Sequence, residues 1–127
     1  KAGGSATHLI QQGEGWIQDP YRDDLSLVLE TEAGLVLICG CCHAGLLNTL
    51  AHVTNHFTRP VRAIMGGTHL IAAKEADMTH IISVLRTDYG APQLYLNHCT
   101  GTQALFALTT AFGDRVQPCP AGTVLEF

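Results

Sequence analysis

Charge and aromatic side chains are scarce in this chain: 14% of its 127 residues are Asp, Glu, Lys or Arg, and 6% are Phe, Trp or Tyr. Its 7 Lys and Arg stand against 11 Asp and Glu, a formal charge of -4, and the basic residues form no cluster. A surface without a basic stripe is not built to hold a phosphate backbone, so nucleic acid is not an expected partner. No apolar run approaches the roughly 18 residues a membrane span needs, and the Gly-rich stretch Lys1 to Ser5 lacks the apolar centre of a signal peptide. A soluble protein that does not engage a membrane is expected. Low-complexity segments are absent as well. The chain starts at Lys1 in place of Met, which leads us to expect that it was trimmed, processed or cut from something longer.

Apolar residues, by contrast, make up 46% of the sequence, enough for one domain with a real core. The five cysteines are Cys39, Cys41, Cys42, Cys99 and Cys119. Their number is odd, and three crowd into four positions where they could not all pair with good geometry. A reducing, cytoplasmic setting is expected.

Residues 1–24, rich in Gly, Gln and Asp and lacking a sustained period, read as an irregular lead-in segment or connector, and residues 25–127 as the folded unit. Leu25 to Glu30 alternates weakly, Glu32-Ala33-Gly34 turns, and Leu35 to Cys39 is a continuous apolar run of the kind buried on both faces, so the pair predicts a hairpin. Leu46, Leu47, Leu50, Val53 and Phe57 then form one helical stripe over His43 to Phe57. Val61 to Met65 is a second apolar strand, followed by a helix over about Ala72 to Asp88. Leu94 to Leu96 is a third, followed by a helix over about Gln103 to Phe112. Arg115 to Gln117 and Thr123 to Phe127 predict short terminal strands. The order is a hairpin, three strand-helix units and short strands: an α/β layer arrangement.

Each strand-helix unit places a histidine just beyond its strand: Gly40-Cys41-Cys42-His43, Gly66-Gly67-Thr68-His69 and Asn97-His98-Cys99-Thr100-Gly101. If the strands are parallel, the three turns share one sheet edge, where open α/β sheets put their ligands, and three imidazoles converge. Glycines beside them allow sharp turns close to an ion. Cys41, Cys42 and Cys99 add soft donors. Such an N/S set suits zinc or another first-row divalent ion; an open coordination position would bring the pKa of bound water to about 7, giving hydroxide for hydrolysis. Taken singly, each of these histidines is more often a solvated or satisfied loop residue than a ligand; their equivalent placement favours the metal. Gly-Cys-Cys-His-Ala-Gly could also cradle a phosphate at a helix start, but its spacing matches no nucleotide fingerprint.

The other histidines carry less. His52 and His56 are four apart on one helix, yet opposite its apolar stripe, as is His80 on its own helix, so a solvent face is expected for all three. His8 lies in the lead-in segment, where the sequence supplies no basis for a role. Asp23-Asp24 could orient a ligand histidine from behind or bind substrate, although a charged start to a strand is the plainer reading.

These residues resemble a family, the metal-dependent hydrolases of the metallo-β-lactamase superfamily, in the subgroup that includes the dihydropterin-ribofuranosylaminobenzene-phosphate synthases. The resemblance runs from Asp23 to Phe127. It rests on Asp23-Asp24-Leu25-Ser26-Leu27-Val28, Gly40-Cys41-Cys42-His43-Ala44-Gly45 with Asn48-Thr49-Leu50, Gly66-Gly67-Thr68-His69-Leu70, and His98-Cys99-Thr100-Gly101 followed by Phe112-Gly113. It implies the carboxyl-terminal half of an αββα sandwich with metal at one edge of its sheets. His98 matches the superfamily's last ligand motif, and the Cys41 to His43 turn lies where the superfamily places a bridging carboxylate or cysteine. His69 belongs to a motif of the subgroup and fits a metal or a substrate role. Cys42 stands where a small hydroxyl residue is expected. Nothing in the chain matches His-x-His-x-Asp-His, the motif that supplies most of the superfamily's ligands.

The expectation is therefore a partial chain of a metal-dependent hydrolase acting on a small ester, phosphoester or lactone-type substrate. Its expected metal ligands are His43, His98 and Cys41; its expected substrate contacts are His69, Thr68, Thr100 and Asp24; no residue stands out as the general acid or base. The cofactor is a divalent metal, zinc first, then manganese or iron. Expected partners are the missing amino-terminal half or a partner chain, or a second copy of this one. The alternatives are a pterin-ribofuranosylaminobenzene-phosphate synthase-type activity and a non-catalytic Cys/His module that binds metal or senses redox state.

Overall fold

The computed structural model describes residues 7–127, so the part of the lead-in expectation that falls on residues 1–6 lies outside the described residues. From Ser26 onward the predicted order is found. Strand β3 (Ser26–Thr31) pairs antiparallel with β4 (Gly34–Cys39), and β4 is followed by α1 (Leu46–His56), β5 (Val61–Gly66), α2 (Glu75–Thr87), β6 (Gln93–Leu96), α3 (Thr102–Phe112) and β7 (Val116–Pro118). The five strands form one sheet in the order β3-β4-β5-β6-β7, parallel from β4 onward.

Sequential parallel strands joined by right-handed crossovers carry their helices on the same face. The register shows which side chains meet them: Leu37, Ile64, Leu94 and Val116 share one row across the sheet. They join a single core with Leu46, Leu50 and Val53 of α1, Met78, Ile81 and Leu85 of α2, and Ala104 and Leu108 of α3. The next row, Leu27, Ile38, Met65, Tyr95 and Gln117, points to the other side. It stays out of that core, and Leu27 and Leu29 are 56% and 45% exposed.

Three expectations are corrected. The expected irregular lead-in contains a hairpin, β1 (Leu9–Gln12) and β2 (Gly15–Gln18), closed by a two-residue loop whose Gly13 has the positive φ of 61° that such loops favour. Its strands are too polar and too short to register as apolar runs. Thr123 to Phe127 is not a strand: Thr123 folds back to the Pro120 carbonyl through its backbone N–H and hydroxyl, and Phe127 ends with its ring 6.0 Å from that of Tyr95. Helix α1 starts at Leu46, three residues after His43, because the turn before it contains left-handed backbone at Cys42 (φ 61°) and positive φ at Gly45 (95°).

The end of β5 is the tightest point of the sheet. Gly66 has φ 108°, and a Cβ there would lie 2.1 Å from the Cys39 carbonyl oxygen, so any side chain would force β4 and β5 apart. Gly90 also has a positive φ, 66°, but open space around it. Gly66→Ala is expected to cost about 3 kcal/mol in urea unfolding, against about 1 kcal/mol for Gly90→Ala. Equal losses in the two variants would contradict this reading of the β4–β5 contact.

Candidate metal centre

Because β4, β5 and β6 run parallel, the turns that follow them emerge at one edge and are tied together by backbone hydrogen bonds. Asn97 N–H donates to the Gly66 carbonyl (3.2 Å) and Ile71 N–H to that of Cys99 (3.2 Å). Close approach depends on Gly67, where an added Cβ would lie 2.5 Å from His98 Cε1 and 2.6 Å from Cys99 Sγ. The Thr68 and Thr100 hydroxyls, expected to meet substrate, bond to each other at 2.9 Å in the buried space between the turns. They brace the edge, and Thr100 also lines the cleft beside His98.

The donors that reach this edge fall into two trios sharing one sulfur: Cys41, His43 and His69, and Cys41, His98 and Cys99, each with its ligand atoms within 4.8 Å of one another. Cys41 Sγ lies 3.2 Å from His69 Nδ1, and its thiol donates to Cys99 Sγ at 3.1 Å. The His43 and His69 rings meet edge to face with centroids 4.5 Å apart. His98 Nδ1 is 2.7 Å from the Asn97 side-chain oxygen and donates to it, which leaves Nε2 with the lone pair a metal needs. Bonds of about 2.3 Å to sulfur and 2.0 Å to nitrogen set tetrahedral donors roughly 3.5 Å apart, close to the spacings found here. The donor set fits a divalent ion of the zinc type. His43 and His98, both expected as metal ligands, fall in different trios, and Cys99 joins the expected Cys41.

The electrostatics of the edge favour neutral donors waiting for a cation. Burial, with the Cys99 thiol beside it, pushes the Cys41 thiol up to about 12. Burial and then the neighbouring His43, His8 and His98 imidazoles hold His69 below the ordinary histidine range. Cys42 belongs elsewhere: it is fully buried in the core, its Sγ 3.4 Å from Thr49 Oγ1, and the hydrogen bond from Cys39 lowers its pKa. All five cysteines are free thiols.

Two residues that sequence reasoning passed over complete the surroundings. Tyr21 lies with its ring 4.6 Å from His43, and its hydroxyl is 2.9 Å from His8 Nδ1. Nothing in an isolated Tyr or His within a polar segment marks it; only the folding back of the chain before β3 does. Asp24, offered as a support or a substrate contact, accepts the Ala44 N–H at 2.8 Å and so anchors the turn that carries His43. His52, His56 and His80 are exposed, and none of them belongs to either trio. A cleft of about 440 Å³ opens beside His98, lined by Ile71, Leu105, Pro118 and Pro120 among others.

The raised Cys41 pKa has a measurable consequence, since the thiolate is the form that alkylates. In the metal-free chain, iodoacetamide labelling of Cys41 should be at least about tenfold slower near pH 8 than that of an ordinary thiol, and still climbing at about pH 10. Peptide mapping by mass spectrometry reads the rate. A plateau near the ordinary cysteine value of 9.0 would contradict the burial of this sulfur.

No family model matches the chain. The crystal structure of Tm1679, a metal-dependent hydrolase of the β-lactamase superfamily, superposes with a TM-score of 0.87 at 28% identity, over 94% of this chain and 46% of that one. A 7,8-dihydropterin-6-methyl-4-(β-D-ribofuranosyl)-aminobenzene-5'-phosphate synthase of Methanocaldococcus jannaschii is 28% identical over 114 residues, 87% of this chain and 38% of its own. The uncharacterized protein MJ0448 of the same organism is 26% identical over 94 residues, covering 73% and 33%. The chain thus spans less than half the length of each of these three proteins. In fold the chain is similar to a metal-dependent hydrolase of the β-lactamase superfamily, and in sequence to a dihydropterin synthase-type protein, the subgroup that its motifs resemble.

Proposed function

We propose that this chain is the carboxyl-terminal part of a metal-dependent hydrolase of small ester, phosphoester or lactone-type substrates, with His43, His98 and Cys41 among its metal ligands. The observation that carries the reading is the convergence of two Cys/His trios on one sulfur at the ligand-bearing edge of the sheet. A bound divalent ion, zinc before manganese or iron, would supply Lewis acidity and an acidified water there. The residues of the chain do the rest. Asn97 fixes the His98 tautomer, Asp24 fixes the His43 turn, and the cleft beside His98 offers apolar walls for the body of a substrate. His69, held below the ordinary histidine range, offers a neutral ring whose unprotonated nitrogen can accept a proton or bind metal.

The remaining ligands would come from an amino-terminal half or a partner chain bearing the His-x-His-x-Asp-His motif. Two apolar surfaces support such a neighbour: the open sheet face at Leu27 and Leu29, and the β1–β2 hairpin, whose Trp16 is 66% exposed. A lone two-stranded hairpin is marginal in water and needs packing to persist. Among the described residues, no helix is long and apolar enough to cross a membrane. The free thiols suit a reducing, cytoplasmic setting. The match to the dihydropterin synthase favours a second reading, in which the same centre serves a synthase-type reaction.

Native mass spectrometry with metal analysis, before and after His98→Ala, tests the metal. Bound zinc or manganese should fall at least about tenfold in affinity in the variant. A chain that takes up neither ion would sink the hydrolase reading. Turnover separates the readings of a metal-loaded preparation supplied with its second half: cleavage of activated phosphate or lactone esters is expected. Metal without turnover would leave a binding module or the synthase.

A further inference from the structure

The segment before β3 is held in a conformation that costs free energy, and its purpose can be read from what it touches. Tyr21 has φ 51°, the left-handed region that a β-carbon disfavours and that Gly or Asn would occupy more cheaply. Its backbone is pinned on both sides: Tyr21 N–H donates to Asp19 Oδ1 at 2.7 Å, and the Tyr21 carbonyl accepts Asp24 N–H at 3.3 Å. Asp24 in turn holds Ala44 N–H, and Asp19 N–H donates to the His8 carbonyl at 2.9 Å, so the hairpin, this segment and the His43 turn form one connected frame. Within it the Tyr21 ring packs on His43 while His69 meets His43 edge to face. The Tyr21 hydroxyl engages His8 Nδ1, and the His8 ring stands 6.1 Å from that of His43.

A strained backbone kept at a site points to a task for its side chain. We propose that Tyr21 is a positioning residue for the candidate metal centre: with its backbone pinned by Asp19 and Asp24, its ring fixes the orientation of the His43 imidazole, and His8 holds the far end of the tyrosine. A histidine on a turn, with two rotatable side-chain bonds, can swing its nitrogen away from an ion. Clamped between Tyr21 and His69, it cannot do so without breaking both ring contacts. Tyr21 therefore acts through His43 and touches no reacting atom. What His43 does depends on the metal-centre reading; how it is held does not.

Tyr21→Gly removes the ring while suiting the left-handed backbone, and Tyr21→Phe keeps the ring while losing the hydroxyl. In the metal-free 127-residue chain, imidazole nitrogen NMR should show His43 ordered in the parent and in Tyr21→Phe but averaged between rotamers in Tyr21→Gly, with the core amide signals unchanged in all three. Zinc affinity, by competition with a chromophoric chelator, should fall about tenfold in Tyr21→Gly and stay within about threefold of the parent in Tyr21→Phe. His43 signals that are the same in Tyr21→Gly as in the parent would overturn the proposal, as would a loss in Tyr21→Phe equal to that in Tyr21→Gly. If Tyr21→Gly is unfolded, Tyr21→Asn replaces it with the same two outcomes. A parent that binds no zinc, yet loses His43 order in Tyr21→Gly, would sink the metal reading and leave the positioning role standing.

Discussion

Everything at the candidate centre depends on how near the turns after β4, β5 and β6 can come to one another. Parallel pairing brings them to one edge, but it does not bring sulfur and imidazole to within 3.2 Å of each other. That requires Gly66 and Gly67, the two positions where a Cβ would collide with the Cys39 carbonyl and with His98 and Cys99. The buried Thr68–Thr100 hydrogen bond then ties the turns together. An interior hydroxyl pair of this kind costs little when satisfied and much when broken, so it specifies one arrangement of the edge.

The donor set is asymmetric. On one side of Cys41 stand two imidazoles, on the other a second thiol and His98. A shared thiol with a high pKa stays protonated until a cation displaces its proton, so metal binding and proton release are coupled at this sulfur. The chain also presents an apolar sheet face and an exposed hairpin, surfaces that a two-layer unit leaves for something else to cover. Together these features describe part of a site and part of a sandwich, in keeping with the fraction of its relatives that the chain spans.

Much of this was legible in the sequence because the informative signals are local. Continuous apolar runs marked β4 to β6, single apolar stripes marked the helices, and glycines beside the histidines marked the turns. The β1–β2 hairpin was not legible, since four-residue strands such as Leu-Ile-Gln-Gln carry no period that survives their polar neighbours. Tyr21 and His8 were invisible for a different reason: their place at His43 arises from the folding back of a polar segment, a tertiary fact with no local signature. The bond between the two threonines was not legible either, because the sequence shows a hydroxyl beside a candidate ligand but not which way it faces.

The central claim is that thiolate and imidazole donors, gathered from the turns into two trios that share Cys41, bind metal. X-ray absorption at the zinc edge of the loaded chain tests it most directly. The account predicts a sulfur shell at about 2.3 Å together with nitrogen at about 2.0 Å, the sulfur shell lost when Cys41 and Cys99 are both replaced by Ser. A first shell of nitrogen and oxygen alone, unchanged by those replacements, would contradict it.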